Sequence, residues 1–239
     1  MSTIIYGKNP VQAAVQAKHA RTLYISERLT SDQFASRLIS SGVPVKFVPD
    51  ATLERLAKTK TTQGYVAEVD DYGTYSLSDI IAVAKKKQFP LIAMLDGIED
   101  PHNLGAIIRS ADAFGVDGII IKKRGEAPLN STVAKVSTGA IEYVKVVEVA
   151  NLSQAIKTLK ENGFWIVATD GDGTSNYDDI DYRCPICVII GSEGFGISQL
   201  VLRNSDFIVR IPMCGHVNSL NASNAACTLF AHIDSNRRH

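Results

Sequence analysis

Leu91-Ile92-Ala93-Met94-Leu95-Asp96-Gly97-Ile98-Glu99-Asp100-Pro101-His102-Asn103-Leu104-Gly105-Ala106-Ile107-Ile108-Arg109 is the stretch that decides the architecture. Leu91 to Leu95 is apolar without interruption, and the residues from Asp96 to Asn103 are polar and turn-forming. After them Leu104, Ile107, Ile108 and Ala111 recur at the spacing of one helical face. A strand that is apolar throughout is buried on both sides, and one that feeds straight into an amphipathic helix belongs to a parallel sheet covered by helices. Similar apolar runs follow at Gly118 to Ile121, Tyr143 to Val147, Phe164 to Ala168, Ile186 to Ile190 and Phe207 to Arg210, with helical segments between most of them. The expected class is α/β.

Towards the N-terminus the pattern changes scale. Ser78 has the chemistry to cap a helix running through Lys87. The polar Asp70-Asp71-Tyr72-Gly73-Thr74-Tyr75-Ser76 reads as a linker. Before it, Thr22 to Ser26, Val45 to Val48 and Gln63 to Val69 are strand-like, and Ser31 to Ser40 and Ala51 to Ala57 are helical, which makes a small α/β unit. The expected organisation is an N-terminal unit over 1–72, a linker and first helix over 73–85, and the large domain over 86–239.

Composition narrows the classes. The chain has 239 residues, 45% hydrophobic and 21% charged, with no apolar run of bilayer length. Met1 to Gln12 lacks the basic and apolar regions of a signal peptide, so a cytoplasmic protein is expected. Formal net charge is zero, which argues against a uniformly basic nucleic-acid coat. Any RNA would have to be held by local patches and by shape. Basic clusters stand at Lys85-Lys86-Lys87, Lys122-Lys123-Arg124 and Arg237-Arg238, each equally readable as solvated surface. The spacing of Cys184, Cys187, Cys214 and Cys227 offers no second pair for a zinc site, so buried or incidental thiols and no metal are expected.

Three polar junctions follow strand-like runs, where open α/β sheets bind ligands. The first, Asp96 to Asn103, leads into the helix that carries Arg109 beside its apolar face. The second is Ile190-Gly191-Ser192-Glu193-Gly194-Phe195-Gly196, whose glycine order is not that of the dinucleotide fingerprint. Glu193 there would repel a pyrophosphate and suits a cationic or hydroxyl-rich ligand. The third, Ile211 to Asn224, opens the last helix, expected to reach about His232. Its Asn and Ser residues are more numerous than one helix cap requires.

Together these stretches resemble the SpoU (TrmH-type) family of RNA ribose 2′-O-methyltransferases. The resemblance rests on Asn103-Leu104-Gly105-Ala106-Ile107-Ile108-Arg109, on Ile190-Gly191-Ser192-Glu193-Gly194, and on Ile211-Pro212-Met213 followed by Ser219-Leu220-Asn221. Ile5-Tyr6-Gly7-Lys8-Asn9-Pro10-Val11, with Gln63-Gly64-Tyr65-Val66-Ala67, resembles the N-terminal RNA-binding domain of the branch that methylates a guanosine of 23S rRNA. One departure is Thr62, where many relatives have His.

The resemblance implies a sheet whose C-terminal segment forms a deep trefoil knot, a homodimer, and S-adenosylmethionine as methyl donor. It implies catalytic positions at Arg109, Asn103, Glu193, Ser219 and Asn221, and cofactor contacts at Gly191, Ile211 and Leu220 with Thr169 and Gly171. Because a guanidinium is a poor proton acceptor, Arg109 is expected to grip a phosphate and stabilise a developing alkoxide. His102 is the rival base. Two alternatives stand beside this reading: the same chemistry on tRNA or another rRNA site, and a silent RNA-binding or ribosome-assembly protein of the same fold.

Overall fold

Two sheets organise the computed structural model, which describes residues 2–238. The chain divides into two compact units. One takes in everything up to Gly73 together with Pro128–Tyr143, and the other Thr74–Ala127 with everything from Val144.

The first unit begins with β1 (Ser2–Tyr6), α1 (Lys8–Gln16), β2 (Ala20–Ser26), α2 (Gln33–Ile39), β3 (Val45–Val48), α3 (Asp50–Ala57) and β4 (Tyr65–Asp70). Its sheet has the order β1-β4-β2-β3. β4 runs antiparallel to both neighbours, and β3 is parallel to β2. The strands and helices expected between residues 22 and 70 are present, and β1 and α1 precede them.

The remaining elements are α4 (Leu77–Ala84), β5 (Leu91–Asp96), α5 (Pro101–Ala113), β6 (Gly118–Lys122), α6 (Ser131–Val136), β7 (Val146–Val149), α7 (Leu152–Glu161), β8 (Trp165–Thr169), β9 (Ser175–Asn176), β10 (Ile186–Gly191), α8 (Gln199–Asn204), β11 (Phe207–Arg210) and α9 (Ala222–Arg238). All but α6 belong to the second unit. Its seven strands lie in the order β7-β6-β5-β10-β8-β11-β9, and every pairing is parallel. The apolar runs account for this: β5 is buried at every position, and Ile92, Met94, Ile120, Ile166, Cys187 and Ile189 share one core with Ile80, Ile156 and Leu159 of the covering helices. Burial pushes the Cys187 thiol far above the ordinary range, so it acts as a small apolar side chain.

Pro128–Tyr143 lies in sequence between β6 and β7 yet is built into the first unit. Val133, Ala134, Ala140 and Ile141 are buried there. Glu142 pairs with His19 Nδ1 at 2.9 Å and accepts the Tyr72 hydroxyl at 2.9 Å. Burial, and then the Glu142 charge, holds Tyr72 well above the usual tyrosine value. Gly139 has φ +93°, and a Cβ on it would lie 2.5 Å from that of Ala13, so backbone and packing both require glycine.

Three local expectations are corrected. The N-cap of α4 is Ser76, not Ser78: Ser76 Oγ accepts the Asp79 amide at 3.2 Å while Asp79 Oδ2 accepts the Ser76 amide at 3.1 Å. That reciprocal box outcompetes a cap two residues later, and the helix stops at Ala84, before Lys87. Tyr143 lies outside β7, which starts at Val146, because Ala140–Glu142 forms a tight 3-10 turn that Tyr143 closes. α9 continues to Arg238, beyond His232, because Arg237 anchors its end. The Arg237 guanidinium donates to the carbonyls of Tyr182 at 2.9 Å, Pro90 at 3.1 Å and Cys184 at 3.0 Å.

Candidate functional site

In the second unit's sheet, β5 has β6 on one side and β10 on the other, so the strand order reverses at β5, and an open parallel sheet binds ligands at the carboxyl ends beside such a reversal. The three polar junctions leave the sheet at this end. Asp96 closes β5 with its side chain buried; Oδ1 accepts Lys122 Nζ at 2.8 Å and Oδ2 accepts the Ser198 amide at 2.9 Å. Burial opposes its charge, but these bonds hold the carboxyl below the usual carboxylate range. One carboxylate thereby ties the ends of β5 and β6 to the loop after β10. Beside it Glu126 accepts the amides of Gly97 and Ile98 at 2.6 Å each. Burial pushes Glu126 up to about 7, against the pull of those amides and of Lys122.

On this frame sits a polar constellation. Asn103, in the first turn of α5, donates Nδ2 to Glu193 Oε1 at 2.9 Å. Asn221 donates Nδ2 to Asn103 Oδ1 at 2.9 Å and also to Glu193 Oε1. Its own Oδ1 accepts the amides of Ser223 at 3.0 Å and Asn224 at 3.3 Å. Asn221 is therefore both the cap of α9 and the link between two loops. Glu193 receives the Ala222 amide at 3.4 Å, so its charge also faces the positive end of α9.

The loop carrying Glu193 is pinned by reciprocal backbone bonds, Ser192 to Gly196 at 3.1 Å and Gly196 to Ser192 at 2.9 Å. Gly191 is needed for space: a Cβ there would meet the Gly196 carbonyl carbon at 2.3 Å. At the loop's tip Phe195 is 97% exposed.

An open cavity adjoins the constellation. Thr169, Gly171, Gly191, Ile211 and Leu220 line it, and Glu193 and Ser219 reach it as well. The Thr169 hydroxyl is already used, donating to the Ile189 carbonyl at 2.9 Å. A Cβ on Gly171 would meet nothing within 4 Å, so the missing side chain leaves open space at the wall. Among the described residues no hydrogen bond joins the backbone of 212–220 to the rest of the chain. That loop presents amides and carbonyls to water or to a ligand. A nucleoside with an amino-acid tail fits such a wall: apolar Ile211, Met213 and Leu220 for a flat ring, and free backbone groups for its polar edge.

Arg109 stands apart from this cluster. Six residues along α5 from Asn103 is about 9 Å of rise and roughly 120° around the helix. It is exposed, with no hydrogen bond or ion pair to a described residue. His102 is exposed at the start of α5; its amide donates to Asp100 Oδ1 at 2.8 Å, and its ring has no hydrogen-bond partner among the described residues. Sequence reasoning passed over Asp96, Glu126 and Ser198. It also took Lys122 for part of a surface patch and missed that Asp170 and Asn218 line the cavity. A polar residue closing an apolar strand is the one signal that would have found Asp96.

Residues 90–230 match the model of the SpoU rRNA Methylase family, and residues 4–75 match that of RNA 2′-O ribose methyltransferase substrate binding. The chain is 40% identical to a putative TrmH family tRNA/rRNA methyltransferase of Staphylococcus saprophyticus, over 99% of this chain and 96% of that protein. Among solved structures it is similar to the SpoU methyltransferase AviRb of Streptomyces viridochromogenes in complex with AdoMet. The TM-score is 0.85 and the identity 26%, over 99% of this chain and 91% of that one. An AdoMet-bound rRNA methyltransferase of Sinorhizobium meliloti matches with TM-score 0.82 and 25% identity, over 98% and 87%.

Proposed function

The chain belongs to the SpoU family and is an S-adenosylmethionine-dependent RNA methyltransferase, and from that premise we propose that it methylates a ribose 2′-hydroxyl in structured RNA, a guanosine of 23S rRNA. The observation that carries this reading is the Asn103–Glu193–Asn221 constellation at the rim of the cavity. When bound, S-adenosylmethionine supplies an electrophilic methyl group. The chain's own residues then have to place a hydroxyl in line with it and exclude other geometries. Asn103 and Asn221 fix Glu193 and leave its second oxygen free to orient the loop or a ribose hydroxyl. Ser219 stands at the wall to hold the ribose or the donor's carboxylate end. Phe195 offers an exposed ring on which the target base can stack. Arg109 grips the neighbouring phosphate, and water or that phosphate takes the proton.

Two further parts belong to this reading. β10 lies between β5 and β8, β11 lies beyond β8, and the chain then returns to pack α9 on α5 and β10. Such a path supports a threaded C-terminal segment, the trefoil knot. A homodimer acting in the cytoplasm completes it; Arg109, unpaired among the described residues, supports a second copy beside α5. The substrate is tested by offering labelled S-adenosylmethionine with a 23S rRNA transcript, a 16S rRNA transcript and total tRNA. Label confined to 23S rRNA, lost with Asn103→Ala, is the expected result. Label confined to tRNA would move the substrate to the alternative class.

A further inference from the structure

The first unit contains a lysine that has no counter-charge among the described residues. Lys135, on α6, is half-buried, and burial alone acts on its ammonium, holding it below the ordinary lysine range. Among the described residues no carboxylate pairs with it. Its Nζ stands 5.4 Å from the centre of the Tyr6 ring. A Cβ built on Gly7 would sit 2.4 Å from that Nζ and 3.1 Å from Gln63 Oε1, so the ammonium occupies the place a side chain at position 7 would take.

The surroundings are equally specific. The Gly7 amide donates to the Tyr65 carbonyl at 2.9 Å, and the Lys8 amide to Gln63 Oε1 at 2.9 Å. Gln63 has φ +57°, a backbone state that a non-glycine residue adopts at a cost, held here by its bond to Lys8. The two stretches singled out in sequence as RNA-binding, Tyr6-Gly7-Lys8 and Gln63-Gly64-Tyr65, thus form one turn cluster. Lys8 Nζ lies 4.5 Å from the Phe34 ring centre, and the Arg37 guanidinium 5.6 Å from the same ring. The carboxylate facing this group is Asp32, already engaged by the Tyr65 hydroxyl at 2.5 Å. Two arginines of the unit are engaged in pairs, Arg21 with Asp70 and Arg28 with Asp50.

A partly desolvated ammonium without a counter-ion is unfavourable, and a ring face offsets only part of that cost. A phosphodiester would offset the rest. We propose that Lys135 and Lys8, carried on the rings of Tyr6 and Phe34, form a phosphate-gripping face of the first unit, so that its RNA surface is completed by a segment encoded between β6 and β7. The proposal rests on RNA being the substrate, and it makes residues 1–73 alone an incomplete RNA-binding module.

The test uses the full chain and a fluorescently labelled 23S rRNA fragment, with anisotropy titrations at several salt concentrations. Lys135→Gln is expected to weaken binding roughly fivefold to tenfold at about 0.1 M salt and to reduce the slope of log K against log salt by about one. Thermal midpoint and S-adenosylmethionine affinity should stay as in the wild type. Unchanged affinity and slope in K135Q overturn the proposal. So does weaker binding at unchanged slope with a lowered midpoint, since that is the signature of a merely structural lysine. Methyl transfer by the wild type, measured in parallel, separates the outcomes: transfer intact with K135Q binding normally removes this proposal alone, and no binding or transfer by the wild type removes the 23S rRNA reading as well.

Discussion

Glu126 receives two amides, those of Gly97 and Ile98, and it holds them best when ionised. Because burial raises it to about 7, the native chain takes up a proton between the unperturbed value of 4.5 and about 7. Its contribution to stability is therefore full below pH 4.5 and is lost as pH rises through 7. Function runs the other way, since the clamp on the loop leading to Asn103 tightens as the carboxylate forms. Methyl-transfer kcat should rise through pH about 7, and Glu126→Gln, which turns an N–H towards an N–H, should lower kcat severalfold and abolish that inflection. A pH–rate profile with the same inflection in both proteins would contradict this. At this scale Asn103, Glu193 and Asn221 were legible because the resemblance attached a role to each position. Glu126 was not: a carboxylate in a loop acquires meaning only from the amides that the fold turns towards it.

Among the elements, α9 shows how a charged pair of residues can mislead. Arg237-Arg238 reads as a basic surface patch, yet Arg238 pairs with Asp234 one turn back and Arg237 serves three carbonyls at the amino edge of the sheet. Two other clusters are likewise engaged: Lys87 with Asp117 at 2.7 Å and Lys122 with Asp96 at 2.8 Å. Removing a part-buried guanidinium leaves carbonyls without donors, which costs about 1–3 kcal/mol per group. Arg237→Ala should lower unfolding stability by roughly 3 kcal/mol in urea titration, whereas Arg238→Ala should change it by less than about 0.5 kcal/mol. Equal effects would show that the anchoring is not what keeps α9 in place. Most strands of the large sheet were readable to within a residue because double-sided burial imposes uninterrupted apolar runs; β7 starts three residues after Tyr143, and the two-residue β9 has no such run. Helix ends were less so: Ser76 and Ser78 are both competent caps, and the reciprocal bond with Asp79 decides between them.

For the whole molecule, the unexpected feature is that Pro128–Tyr143 belongs with the N-terminal unit. Nothing in local periodicity signals it, since membership of a unit is decided by long-range contacts such as Glu142 with His19 and Tyr72. A shortened chain starting at Ser76 keeps the sheet and the cavity but uncovers Val133, Ala134, Ala140 and Ile141. It should bind S-adenosylmethionine within severalfold of the full chain, bind RNA weakly, and be cleaved selectively within 128–143 by limited proteolysis. Protection of that segment in the shortened chain would contradict this. The central claim is the chemistry: a methyl group delivered from S-adenosylmethionine to a ribose oxygen. Its most direct test is to incubate the protein with 23S rRNA and isotopically labelled donor, digest the RNA to nucleosides, and locate the label by mass spectrometry. The label is predicted in 2′-O-methylguanosine, on the ribose fragment, with none when Asn103 is replaced by Ala; label on a base fragment, or equal transfer by the variant, would contradict it.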